Sequence, residues 1–164
     1  MQTTPLSIHY ATLSHLEPIV RFQRAMAMES EGLALDTERV KRGVCAVLED
    51  PAKGRYLVAE KEGQLVGCLM LTREWSDWNG CWYWWIQSVF VLPEFRSQGI
   101  YRRMYETVQD LADKEEVAHL RLYVDRDNTA AQQVYQRLHD RVSLFALRKL
   151  NHKVTCGRSL HKVV

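Results

Sequence analysis

A mixed α/β domain, one central sheet between helical layers, is what this 164-residue chain predicts. Three observations carry that expectation. Runs of period near two and runs of period near 3.6 succeed one another in the order β-α-α-β-β-β-α-β-α-β, which builds a three-layer fold. The stretch from Cys81 to Val91 is apolar on both faces, as a central strand must be. A strand ending at Val91, a helix from Gly99 and a strand reaching Val124 then form one β-α-β crossover, parallel and right-handed, beside a mostly antiparallel remainder.

The elements follow in order. Leu6 to Ala11 is a first strand, and Ser14-His15-Leu16-Glu17 has capping-box spacing, so a helix starts there with Leu16, Ile19, Val20, Gln23 and Ala27 on one face. It ends near Met28, where Glu29-Ser30-Glu31-Gly32 breaks the pattern. Asp36, Thr37 and Glu38 open a second helix with a buried stripe of Val40, Val44, Val47 and Leu48, stopped by Pro51 and Gly54. Tyr56 to Glu60 and Leu65 to Thr72 make an antiparallel hairpin around Lys61-Glu62-Gly63. Glu74 through Gly80 reads as a polar turn ending in Asn-Gly, ahead of the central strand. Beyond it come a helix with Ile100, Met104, Val108, Leu111 and Ala112 on one side, a short strand His119 to Val124, and a helix capped near Asn128 that aligns Ala131, Val134, Tyr135 and Leu138. Ser143 to Leu150 supplies a last strand. Residues 1–150 thus form a single domain, and 151–164 a basic tail with Lys153, Arg158 and Lys162, either an edge strand or mobile.

Composition narrows the function. With 46% hydrophobic residues the chain can bury a real core as one domain. Its 22 basic and 20 acidic residues leave a net charge of +2, too even for a nucleic-acid or membrane surface. Cys45, Cys68, Cys81 and Cys156 show no C-x-x-C pair, so buried reduced thiols and a cytoplasmic protein are expected, with no metal. No apolar run is long enough for a signal peptide or a membrane span.

The stretch from Val89 to Tyr105, V-F-V-L-P-E-F-R-S-Q-G-I-Y-R-R-M-Y, holds the chemistry. Pro93 closes the strand, and Arg96-Ser97-Gln98-Gly99 leads into a helix whose first-turn N–H groups and positive dipole end face the loop. Such a junction holds an anion, and Arg96, Arg102 and Arg103 add charge. Gly99 lets the backbone approach a phosphate. Alone, this loop has a plainer reading, a turn with solvated arginines. Together with a strand and N-x-x-A-x-x-x-Y about 30 residues on, the pattern V-x-V-x-P-x-x-R-x-x-G-x-x-R resembles the acetyl-CoA-binding half of the GNAT acetyltransferase superfamily. The likeness covers Cys81 to Leu138; Tyr101 stands where the family usually has Gly or Ala, and His139 and Asp140 where its last helix ends in Gly-Phe or Gly-Met.

The resemblance implies an acyl-CoA-dependent N-acetyltransferase moving acetyl from acetyl-CoA, its co-substrate, to a small-molecule or peptide amine. A CoA-binding regulatory domain with weak turnover is the alternative. It also implies that Val89, Phe90 and Val91 offer backbone groups to the pantetheine arm, and that Arg96, Ser97, Gln98, Gly99, Ile100, Tyr101 and Arg102 wrap the pyrophosphate. Charge-assisted bonds of that kind contribute about 1.5–3 kcal/mol each. Asn128 falls at the position that meets pantetheine, or is only a cap. Tyr135 falls at the tyrosine that protonates the departing thiolate, or is a core residue of an amphipathic helix. The family's basic carboxylates are missing: Tyr123, Trp84, Trp85 and Gln87 occupy their places, leaving water or Glu29, Glu31 or Glu74 to take the amine proton. For the acceptor, Glu29 and Glu31 with Trp75 and Trp78 suit a cationic amine through charge and cation–π attraction of about 0.5–2 kcal/mol; packed indoles and solvated acids are the alternative. No nucleic-acid or membrane partner is expected, and a homodimer is compatible with the sequence.

Overall fold

The computed structural model describes residues 5–125, 129–138 and 142–147. In chain order it has β1 (Ser7–Tyr10), a 3-10 turn (Leu13–His15), α1 (Leu16–Glu31), α2 (Thr37–Glu49), β2 (Arg55–Lys61), β3 (Gln64–Ser76), β4 (Cys81–Val91), a second 3-10 turn (Pro93–Phe95), α3 (Ile100–Lys114), β5 (His119–Asp125), α4 (Thr129–Leu138) and β6 (Val142–Leu147). The six strands form one sheet in sequence order, antiparallel from β1 to β4 and parallel from β4 through β5 to β6. The tail from residue 151 and Cys156 lie outside the described residues.

Strand alternation sorts the apolar residues into two cores. On one face Leu57, Ala59, Val66, Leu69, Leu71, Trp84 and Ile86 pack against Ile100, Met104, Val108 and Ala112 of α3, the predicted stripe. On the other face Tyr56, Val58, Cys68 and Phe90 pack against Ile19, Val20 and Phe22 of α1 and Val44 of α2. Burying this apolar area is what holds the layers together, at about 25 cal/mol for each Å² removed from water.

Four local expectations are corrected. The first cap is Thr12, not Ser14: its backbone N–H donates to His15 Nδ1 at 2.9 Å, so an imidazole three residues on does the work assigned to Glu17. α1 runs past Met28 to Glu31 because Gly32, at φ +66°, supplies the left-handed residue that caps its carbonyls. Glu74, Trp75 and Ser76 belong to β3, where they pair with Tyr83, Trp82 and Cys81; the turn is only Asp77 to Gly80, closed by the Gly80 N–H on the Ser76 carbonyl. Finally, Cys45 in α2 and Cys81 at the start of β4 are only partly buried, while Cys68 is fully enclosed and its thiol is pushed up to about 12 by burial.

Candidate active site

The site is prepared by a break in strand pairing. Cys68 faces Phe90 and Met70 faces Gln87, so β4 carries one extra residue over that interval, and Ser88 absorbs the bulge with φ +50°. Gly67 permits it, because a Cβ there would lie 2.9 Å from the Phe90 carbonyl oxygen. Beyond the bulge β4 leaves its neighbour: pairing with β5 runs from Tyr83↔His119 to Ile86↔Leu122 and, among the described residues, stops there. The Leu92 N–H donates to the Val66 carbonyl at 2.9 Å, which by alternation turns Phe90 toward β3 and Val89 and Val91 toward the gap. Of the three expected backbone contacts, Val89 and Val91 therefore face the opening and Phe90 faces away.

The loop that follows is shaped for an anion. Ser97 and Gly99 take φ of +60° and +77°, a nest-like alternation that converges backbone N–H groups, and α3 begins at Ile100 directly after Gly99. The Arg103 N–H makes the first helical bond, to the Gly99 carbonyl at 3.1 Å. Amides earlier in the turn have no acceptor within the helix and face the loop. Ser97, Gln98 and Gly99 are exposed, as is Arg102, whose guanidinium has no partner among the described residues; Gln98 takes a hydrogen bond from Lys61 at 3.2 Å.

Arg96 is placed differently from a free phosphate ligand. Its two terminal nitrogens donate to Glu29 Oε1 and Oε2 at 2.6 and 2.7 Å, and its Nε donates to the Val91 carbonyl at 2.9 Å. The fork ties the last turn of α1 to the end of β4. Hydrogen bonding from Arg96 holds the Glu29 carboxyl below its usual value, so the acid is an anion with its charge already answered. Glu31 is exposed at the end of α1.

Tyr135 of α4 and Tyr101 of α3 meet with ring centroids 5.4 Å apart, and both pack against the α3-side core. Burial pushes the Tyr135 phenol up to about 12 and raises Tyr101 further still. Both are neutral donors throughout the ordinary pH range. The residue that departs from the family pattern is thus the wall against which the candidate acid rests. Asn128 lies outside the described residues.

The acceptor candidates divide between two faces. Trp75, half exposed, stacks edge-on to Trp82 at 5.1 Å, and Arg73 covers Trp82; by alternation these share the face of Trp84 and α3. Glu29 and Glu31 belong to α1 on the opposite side, so Trp75 is not brought to them. Trp78 is 93% exposed at the hairpin turn. A cluster forms instead on the α1 side, around one of the three acids offered as proton acceptors: Glu74 Oε2 accepts from Trp85 Nε1 at 2.5 Å and from Arg121 at 3.2 Å, Tyr123 stacks on Trp85 at 4.2 Å, and Gln87 donates to Thr72. Glu74 appeared in the sequence only as a loop acid. Continuing the alternation of Thr72, Glu74 and Ser76 into one strand face would have put its carboxylate beside Trp85, where no carboxylate of β4 stands.

Among the described residues, no helix is long and apolar enough to cross a membrane. The acetyltransferase (GNAT) family pattern matches residues 19–140. The crystal structure of a possible acetyltransferase from Clostridium difficile 630 is 32% identical, covers 95% of this chain and 99% of its own, and superposes with a TM-score of 0.78. An aminoglycoside N-acetyltransferase in complex with CoA is 18% identical (94% and 98% covered, TM-score 0.71), and a ribosomal-protein-alanine N-acetyltransferase from Brucella melitensis biovar Abortus 2308 is 16% identical (94% and 100%, 0.67); these two share the fold. Among curated proteins none matches. With the family pattern over most of the chain and a bulged strand, nest-like loop and helix in its middle, this protein belongs to the GNAT acetyltransferase family.

Proposed function

We propose that this acetyltransferase moves an acetyl group from acetyl-CoA directly to an amine bound beside it. The observation that carries the reading is the opening between β4 and β5, with Val89 and Val91 turned into it and the Ser97–Gly99 loop at its end. The arrangement suits an extended thiol arm on the strand and a pyrophosphate on the loop. In the reaction the amine nitrogen attacks the thioester carbonyl, the C–S bond breaks, and the departing sulfur takes a proton from the Tyr135 phenol. That proton is replaced by the one the amine gives up, through water or Glu74. Both acids are already engaged, Glu29 by the Arg96 fork and Glu74 by Trp85 and Arg121, which makes water the first acceptor of that proton.

The acceptor is proposed to be a small cationic amine, approaching from the α1 side over Trp85, Tyr123 and Glu74, where it would take over charge and cation–π contacts that Arg121 makes to Glu74 and Trp85. The aminoglycoside enzyme with the same fold makes polyamino sugars the first class to assay. Thiol release from acetyl-CoA against aminoglycosides, polyamines and peptide amines is the test. Turnover with one class, and a fall in kcat of about 10²–10⁴-fold for Tyr135→Phe with unchanged CoA affinity, is the expected result. CoA binding without transfer to any amine would favour the regulatory reading, and full turnover by Tyr135→Phe would leave that tyrosine a packing residue.

A further inference from the structure

A second cluster lies at the outer edge of the sheet, where β1, the turn after it and β2 converge. His9 and Glu60 share one face of the β1–β2 ladder, because Ser7 pairs with Glu60 and His9 stands two residues on. The 3-10 turn carries His15 back over them, its ring 5.5 Å from that of His9. One donor atom from each of His9, His15 and Glu60 lies within 4.8 Å of the others, and all three residues are half-buried.

The hydrogen bonds of His9 show what the cluster lacks. Its Nδ1 lies 3.1 Å from the Tyr10 carbonyl, which can only accept, so Nδ1 carries the hydrogen and Nε2 presents a lone pair. That lone pair faces Glu60 Oε2 at 3.4 Å. A proton on Nε2 would answer that contact as an ion pair, and a metal ion between the two atoms would answer it as a ligand bridge. A ring nitrogen anchored to a backbone carbonyl is also how a metal-binding imidazole is usually oriented. Bond lengths of 2.0–2.2 Å at a tetrahedral ion put neighbouring donors about 3.4 Å apart, and two imidazoles on one ion bring their ring centres to about 5 Å. The His9–Glu60 pair at 3.4 Å has the first spacing and the two rings at 5.5 Å are close to the second; the remaining donors, within 4.8 Å, would draw in on binding.

We infer that His9, His15 and Glu60 form a binding site for a divalent transition metal of the Zn²⁺ class. His15 would bind through Nε2, and this exchanges its present role: Nδ1, which now accepts from the Thr12 N–H at 2.9 Å, would have to give up that capping bond and take the hydrogen, with the Thr12 hydroxyl at 3.3 Å as the acceptor in reach. Three protein donors leave a fourth position for water or a small anionic co-ligand, and two of the three, His15 and Glu60, also line a cavity of about 600 Å³ with Arg21, Gln64 and Glu94. Bound there, the ion fastens edge strand β1 and the start of α1 to β2. The site is independent of the proposed acetyl transfer, since none of its ligands belongs to the β4–α3 opening.

The test is calorimetric titration of tag-free full-length protein with Zn²⁺, alongside Co²⁺ absorption. One ion per chain is expected, with affinity reduced about 10–100-fold or more in His9→Ala, His15→Ala and Glu60→Gln, and a visible Co²⁺ spectrum of tetrahedral nitrogen and oxygen ligation. A His152→Ala, His161→Ala double variant should bind as tightly as the parent. Absence of binding, equal affinity in the His9→Ala, His15→Ala double variant, or a thiolate-to-cobalt band pointing to Cys45 or Cys81 would each overturn the assignment. Should a ligand variant fold poorly, parent protein whose Zn²⁺ affinity does not change when His9 and His15 are carbethoxylated by diethylpyrocarbonate would overturn it equally.

Discussion

Glu29 and Arg96 carry opposite charges into one loop, so their single substitutions are expected to move CoA affinity in opposite directions. Glu29→Gln releases the Arg96 guanidinium toward the phosphate loop and should tighten CoA. Arg96→Ala removes the cation and should weaken CoA about tenfold, one charge-assisted contact at the lower end of its range. In stability the pair is worth little, about 0.2–1 kcal/mol, because both side chains are 40% or more exposed. Calorimetry on the two variants and their double checks the signs; Glu29→Gln that leaves CoA untouched while raising the acceptor KM would return Glu29 to the substrate side. At this scale the sequence made the loop legible, since Gly99 and its arginines announce an anion site. It could not show that Arg96 has a partner 67 residues away, nor that Glu74 turns toward Trp85, because both depend on the packing of separate elements.

Among the elements, β4 matters most, and its bulge rests on the close approach of Gly67 to the Phe90 carbonyl. Gly67→Ala places a methyl group 2.9 Å from that backbone oxygen and 3.3 Å from Val91 Cγ2. Neither neighbour can swing aside as a flexible side-chain tip would. Overpacking of this kind typically costs about 1–3 kcal/mol. A lowered denaturation midpoint with an unchanged m-value is expected, together with weaker CoA binding as Val91 is pushed into the opening. The helices and strands themselves were largely readable from periodicity, including the α3 stripe and the Asp36 cap, whose side chain accepts from the Arg39 N–H at 2.8 Å. Where the reading stopped β3 early, at Thr72, it took Glu74 and Ser76 for turn chemistry. Their partners on β4, Tyr83 and Cys81, decide otherwise, and cross-strand pairing is invisible within one segment.

For the molecule as a whole, burial of ionisable groups sets an alkaline limit. Cys68 and Tyr135 are each pushed up to about 12 from ordinary values of 9.0 and 10.0, and Tyr56 and Tyr101 are raised too, all chiefly by desolvation. The unfolded chain therefore releases these protons first as pH rises. Their stabilising contribution is complete below about pH 9 and is lost as pH climbs from there through 12. Urea midpoints measured from pH 8 to 11.5 should fall steadily, and Cys68→Val should delay the onset toward pH 10 by removing the group that ionises earliest in the unfolded state. A flat profile would mean that these side chains are wetter than their packing indicates.

The parting of β4 from β5 also has a consequence for isotope exchange. Two successive amides, Val91 and Leu92, share the same neighbourhood yet differ in fate: the Leu92 hydrogen is held by the Val66 carbonyl, whereas that of Val91 points into the opening. In deuterated solvent Val91 should exchange on a fast local timescale and Leu92 only through larger openings of the sheet. Saturation with acetyl-CoA should then slow Val91 selectively, so one pair of adjacent resonances reports on how fully the thiol arm is seated along the strand.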